Sequence, residues 1–169
     1  MNYSTVEING GTFSGNRAYS SGGAVQIESG AEVRISGGNI VDNKSDKSLG
    51  AAIYNGSTLA LSAAAQIDSS NDVYLVSGKT VDVTDKLTCS GYVATITPQT
   101  YAEKTKVLGG SAMGPNYMKF GISNSNWYTL ANGTITSMET TTVARVSKAG
   151  AFSVEFTDLK DAFASVSAG

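Results

Sequence analysis

Two tyrosines, Tyr54 and Tyr74, carry the most suggestive chemistry in the chain. Each follows an apolar residue, Ile53 or Val73, in a short segment of alternating character, so each ring should point away from a core that takes its neighbour. If the two segments are adjacent strands, the rings stack on the outer surface and Gln26 continues the row. An outward aromatic platform can hold a sugar face or a partner's side chain. The plainer account is a cross-strand aromatic pair that adds roughly 0.2–1 kcal/mol to a sheet.

Acidic residues form the second group. Asp42 and Asp46 share one turn, with Asp68 and Asp72 one unit later. Brought together, they could offer oxygens to a hard cation, which takes about six or more. A solvated acidic corner is the favoured account, and nothing here matches the Gly-rich nonapeptides of calcium-loaded β-rolls. No metal and no cofactor is assigned. Catalysis finds little to use. A glycosidase needs two carboxylates across the scissile bond, whereas the carboxylates here are scattered, and arginine occurs only at 17, 34 and 145. The chain has no histidine to activate its single cysteine, Cys89, which sits two residues from Leu87 on one strand face and reads as a small buried apolar residue. No catalytic residue is assigned, and the chain is not read as an enzyme.

Composition narrows the partners. A net charge of −2 with 15% charged residues supplies no basic field for nucleic acid or an anionic membrane. No apolar run approaches the ~20 residues that span a bilayer, so no membrane insertion is expected. Met1–Asn2–Tyr3 runs straight into the first strand without a signal-peptide pattern, and is read as an added start on a segment of something longer. Nineteen glycines and two prolines fit a turn-rich β protein of 169 residues.

The elements that must position these residues are written as a repeat. VEINGGTFSGN (6–16) returns as VRISGGNIVDN (33–43) and fades into LALSAAAQIDSS (59–70). Phe13, Ile40 and Ile67 are each separated by 27 residues (40 − 13 and 67 − 40), and Gly10, Gly37 and Ala64 keep the same step, as do Asn16, Asn43 and Ser70. GGAVQI (22–27), GAAIYN (50–55) and DVYLVSG (72–78) fill one further equivalent slot. Within each unit, pairs such as Val6/Ile8, Val33/Ile35, Leu59/Leu61 and Val81/Val83 alternate with the two-residue period of a strand, and no helical spacing occurs. Short strands parted by Gly, Ser, Asn and Asp, stacked like on like, predict an all-β fold: a right-handed parallel β-helix of about four coils. The coils are Val6–Glu32, Val33–Thr58, Leu59–Thr80 and a degenerate Val81–Lys106. Asn16 and Asn43 are expected to bond backbone groups at a tight corner, with Ile53 inward. Pro98 is expected to help close the final sheet edge.

From residue 107 the repeat is no longer legible, and 107–169 is predicted to be a separate β-rich cap behind the coils of 1–106. Its expected parts are a strand over 116–123, a hairpin over 127–137 turning at Asn132–Gly133, and strands over 141–147 and 151–156. Phe120 and Trp127 should form its core. Leu159, Ala162, Phe163 and Val166 then fall at helical spacing, predicting a short amphipathic helix over 158–167.

FSGN (13–16) and GGAV (22–25) resemble the FxxN and GGA-Ile/Leu/Val motifs that recur once per coil in polymorphic outer-membrane proteins. The second unit keeps Ile40 before Asn43, and Gly50–Ala51–Ala52–Ile53 in place of the Gly22–Gly23 pair and its successors. The resemblance spans roughly residues 6–58. It implies the passenger region of a bacterial surface or secreted adhesin, placed outside the cell, meeting a host or cell-surface glycan or protein. The stretch 146–169 resembles the entry to a further β-helix, which implies tandem domains in a longer parent chain. Two functions follow: a non-catalytic structural or adhesive segment, or a carbohydrate-binding or carbohydrate-active β-helix of the polysaccharide lyase or hydrolase kind.

Overall fold

The computed structural model describes residues 4–138 and the strand segments Ala144–Val146 and Val154–Phe156. The chain divides into two compact units, Met1–Thr136 and Ser137–Gly169.

The first unit is a parallel β-solenoid of about four turns. Coil one holds β1 (Ser4–Ser14), β2 (Arg17–Ala18) and β3 (Val25–Ile27). Coil two repeats them as β4 (Ala31–Val41), β5 (Lys44–Ser45) and β6 (Ile53–Asn55). Coil three holds β7 (Thr58–Ala63), β8 (Gln66–Ile67) and β9 (Asp72–Leu75), and coil four holds β10 (Val81–Leu87) and β11 (Ala94–Pro98). One sheet runs β1-β4-β7-β10-β12, where β12 is Leu108–Gly109, with β8 also paired to β4. A second sheet runs β3-β6-β9-β11-β13, where β13 is Phe120–Ile122.

Columns of like residues explain why the coils stack. Val6, Val33, Leu59, Val81 and Leu108 pair in succession, as do Ile8, Ile35, Leu61 and Val83. Phe13, Ile40 and Ile67 form a second column, and Ile67 N–H donates to Val93 O at 2.8 Å, which carries that side into coil four. Val25, Ile53, Val73, Ile96 and Ile122 form a third. Ile27, Ile53, Leu59, Leu61, Val73, Val81, Val83 and Ile96 are wholly buried. The core is therefore a set of apolar stripes along the solenoid axis. Val93 and Ile96, three residues apart and both buried, lie on either side of a corner: Val93 belongs to the second column and Ile96 to the third.

The glycine pair of coil one has a physical reason that coil two lacks. Gly22 sits at φ 62°, and a Cβ there would strike Val25 O. At Gly23 a Cβ would meet Ala51 O and the backbone of Lys44 in the next coil. Gly50 repeats the left-handed turn at φ 76°. Ala51 can replace the second glycine because coil three has no strand equivalent to β5 above it; Ala51 N–H instead donates to Asp72 Oδ1 at 2.6 Å.

Three expectations need correction. Parallel pairing does not stop at Lys106: Leu108 pairs with Val81, and Phe120–Ile122 pairs with Ala94–Ile96, so a partial further turn follows coil four. Consequently Phe120 is buried in the solenoid core itself, and Trp127 is half-buried against it. Pro98 does not close an edge. It pairs with Leu75 inside the second sheet, and closure falls to the hairpin of β14 (Trp127–Thr129) and β15 (Ile135–Ser137). Finally, that hairpin turns through more than the two expected residues. Gly133 N–H donates to Leu130 O at 2.9 Å and Leu130 N–H to Thr134 O at 2.8 Å, with Gly133 at φ 82°. Gly133 O then accepts Val107 N–H at 2.9 Å and Leu108 N–H at 3.0 Å, sealing the edge of β12. Between coil four and this hairpin lie α1 (Met113–Asn116) and a 3-10 turn (Tyr117–Lys119), which alternation alone does not foretell.

In the second unit, β16 (Ala144–Val146) and β17 (Val154–Phe156) pair antiparallel, with Arg145 opposite Glu155. The helix expected over 158–167 lies outside the described residues.

Candidate binding face

The second sheet positions the tyrosines. Ile53 and Val73 are wholly buried and paired, so the alternation of β6 and β9 turns Tyr54 and Tyr74 outward from directly opposed positions. Their ring centroids lie 5.7 Å apart with an interplanar angle of 7°. This is an offset stack, within the usual range for aromatic pairs. Gln26 lies opposite Tyr54 and Thr97 opposite Tyr74, which extends the outward row by one residue on either side. Gln26 is held sideways: its Oε1 accepts from Ser21 Oγ at 3.0 Å and its Nε2 donates to Glu28 Oε1. Each tyrosine ring turns one face to the other, so an incoming group meets the ring edges and phenolic oxygens. Burial raises the Tyr74 phenol above its ordinary pKa, and the neighbouring Tyr54 raises it further.

The acidic residues do not converge. Asp46 is gripped by Arg17 from the coil before, with Nε to Oδ1 at 2.8 Å and Nη2 to Oδ2 at 3.0 Å. That two-point bond holds the Asp46 carboxyl below the usual carboxylate range; desolvation opposes it, and the charges of Arg17 and Lys44 add lesser lowering effects. Asp68 Oδ1 accepts Ser70 N–H at 2.9 Å, which lowers its pKa also. Asp72 accepts Ala51 N–H, and Asp42 lies against Ser70 Oγ at 3.4 Å. Among the described residues, no three of His, Cys, Asp or Glu are grouped to hold a metal ion. Cys89 is half-buried, with Sγ 3.6 Å from Ala65 O, and Lys119 Nζ donates to the Cys89 carbonyl.

The asparagines form a ladder that sequence spacing places one residue out. Asn16 N and Nδ2 both donate to Asn43 Oδ1, at 3.0 and 2.9 Å. Asn43 N and Nδ2 in turn donate to Asn71 Oδ1, at 3.2 and 3.0 Å. Asn43 Nδ2 also reaches Phe13 O at 2.8 Å and Val41 O at 3.0 Å, bonding backbone at the corner as expected. The third rung is Asn71, not Ser70, because the turn Asp68–Asn71 holds one extra residue, closed by Asn71 N–H to Asp68 O at 2.9 Å. Gly10 and Gly37 are displaced similarly: Gly37 pairs with Asn9 across a register shift. Two further asparagines escaped the sequence reading. Asn55 is wholly buried in an inward strand position and donates to Thr80 O at 3.0 Å. Asn116 accepts Leu87 N–H at 3.3 Å. An asparagine in the inward phase of a strand is the signal that would have found Asn55.

Compared with known proteins, the chain matches no family model, no curated protein and no solved structure.

Proposed function

We propose that this β-solenoid is a non-catalytic structural and adhesive segment that displays its second sheet to a partner. The observation that carries the reading is the Tyr54–Tyr74 stack, set outward on a rigid column of buried residues and flanked by Gln26 and Thr97. Regular strands hold such a face more firmly than a loop would, which limits the entropy lost on binding. The FSGN and GGAV motifs favour the surface or secreted adhesin of a bacterium as the parent, hence an extracellular setting and a host or cell-surface glycan or protein as partner.

A carbohydrate-active solenoid is the competing reading. It would need an acid and a base across a sugar linkage. Asp46, Asp68 and Asp72 are instead each occupied by a guanidinium or backbone donor. Glycan-array binding of the 169-residue protein, repeated with Tyr54→Ala and Tyr74→Ala, tests the display reading. Binding lost in both variants, with no reducing sugar released from uronic-acid polymers, is the expected outcome. Released sugar that survives both substitutions would transfer the assignment to catalysis elsewhere on the coils.

A further inference from the structure

The two ends of the first sheet differ. At β12, the hairpin carbonyl of Gly133 takes the free N–H groups. At β1, the strand pairs only with β4 among the described residues. Three features of β1 and its corner match those that, further along the stack, have the backbone of a neighbouring coil against them.

Gly10 is the sharpest. Gly37, one 27-residue step on, pairs with Asn9 across the register shift, and a Cβ on it would lie 2.7 Å from Asn9 O of the preceding coil. Gly10 has no such neighbour: nothing lies within 4 Å of a Cβ built on it, and its φ is outside the left-handed region. Neither local conformation nor present packing asks for glycine. Gly11 is different, since its φ of 92° supplies a local reason. Val6 is the second feature. It heads the column Val33, Leu59, Val81, all at most 4% exposed, yet is itself 51% exposed. Third, the asparagine ladder has a polarity. Each rung's Oδ1 accepts the backbone and amide N–H groups of the rung before it, and Asn16 Oδ1 accepts nothing among the described residues.

We propose that β1 is a docking edge for one more coil of the same 27-residue repeat, joined ahead of Ser4 and laid parallel on β1, with its own asparagine donating to Asn16 Oδ1. Its carbonyl would pass over Gly10 as Asn9 O passes over Gly37, and its inward apolar residue would cover Val6. A second copy of the chain fits poorly. Head to head, it sets Asn16 Oδ1 against Asn16 Oδ1, two acceptors; head to tail, it meets the hairpin that already occupies β12. This inference is independent of the tyrosine face.

Residues 4–30 form one full coil, so a tandem copy of them placed ahead of Ser4 supplies the occupant directly. The extended protein should melt at least ~4 °C higher than the parent, and the amides of the original β1 should exchange at least ~10-fold more slowly. Gly10→Ala should leave the parent's melting temperature within about 1 °C but lower that of the extended protein, in the original coil, by several times as much. Asn16→Ala should likewise cost more in the extended protein. If the copied coil does not fold, residues 31–57 serve as a second leading coil. Failure of both to protect β1, or equal effects of Gly10→Ala in parent and extended protein, overturns the proposal. So does a concentration-dependent dimer of the parent that protects β1, because that would assign the edge to a second copy.

Discussion

Asn43 and Asn71 bond each other in both directions across neighbouring coils: Asn43 Nδ2 donates to Asn71 Oδ1 at 3.0 Å, and Asn71 Nδ2 donates to Asn43 O at 3.1 Å. Both residues are nearly sealed from water. Parallel strands cannot supply a hydrogen-bonded corner by themselves, so these amides complete the pairing where the chain turns between the two large sheets. The ladder thereby fixes the angular position of each coil on the next, which the apolar columns, being smooth, do not.

Asn43→Ala should therefore be among the most damaging polar substitutions in the chain. It removes the acceptor of Asn16 N–H and the amide donor to Phe13 O, while Asn71 Oδ1 keeps the backbone N–H of residue 43, and a polar group left unsatisfied away from water costs roughly 1–3 kcal/mol. A loss on the order of 3 kcal/mol in urea unfolding is expected. Ser70→Ala, one residue from the true third rung, should change stability by about 0.5 kcal/mol or less.

Ile40→Ala tests the second apolar column. Ile40 lies between Phe13 and Ile67 and is 1% exposed, so truncation should cost about 2–5 kcal/mol. Phe13, half-buried at the start of the column, should tolerate Phe13→Leu with a much smaller loss. Equal losses from the two substitutions would contradict the end position of Phe13.

Much of this geometry is legible in the amino-acid order, and the limits have physical causes. Val33, Leu59 and Val81 announce their column because each must fill the same interior space, and a parallel stack repeats that demand every turn. Leu108 does not, because its strand is only two residues long and alternation needs more to show itself. Asn71 was concealed for a different reason. Corners have no apolar partner to keep in phase, so they absorb single-residue insertions that a strand would reject. Tyr54 and Tyr74 could be placed outward from their buried neighbours, but not the bonds that hold Gln26 aside. Those depend on Ser21 and Glu28, whose side chains meet it only after the coil has folded.

The Arg17–Asp46 pair predicts a pH signature. Because the folded Asp46 carboxyl has a lowered pKa, its contribution is fully present above the unfolded value near ~3.9. It disappears as pH falls through the folded value, since the unfolded chain then binds the extra proton more readily. Asp46→Asn should remove part of the stability decline seen below about pH 4 and leave the pH 6–8 plateau flat. The pair is exposed, and its effect should shrink in high salt. Urea midpoints across pH 2–7 for both proteins supply the measurement.

Removal of divalent ions should do nothing. Asp46, Asp68 and Asp72 already have partners from within the chain, so the melting temperature in excess EDTA should match that in calcium. A fall of several degrees on chelation would show that a cation binds the folded state in preference to the unfolded one.

The stacked tyrosines allow the most direct test of the display face, because structure and binding can be read on the same two rings. Their coupling should be about 0.5–1 kcal/mol in a double-mutant cycle with Tyr54→Ala and Tyr74→Ala, the scale of an aromatic pair on a partly exposed surface. Tyr74 should also titrate above the ordinary phenol value of about 10, since burial and the neighbouring Tyr54 both oppose its anion. A neutral form favoured on folding contributes stability below that value and loses it as pH rises through the folded one. Tyr54→Phe should lower the Tyr74 pKa only slightly, because burial is the larger cause. Absorbance titration of the two single variants separates these effects. A Tyr74 that ionises like free tyrosine would mean its ring is fully solvated, and the rigid platform on which the binding proposal stands would be lost with it.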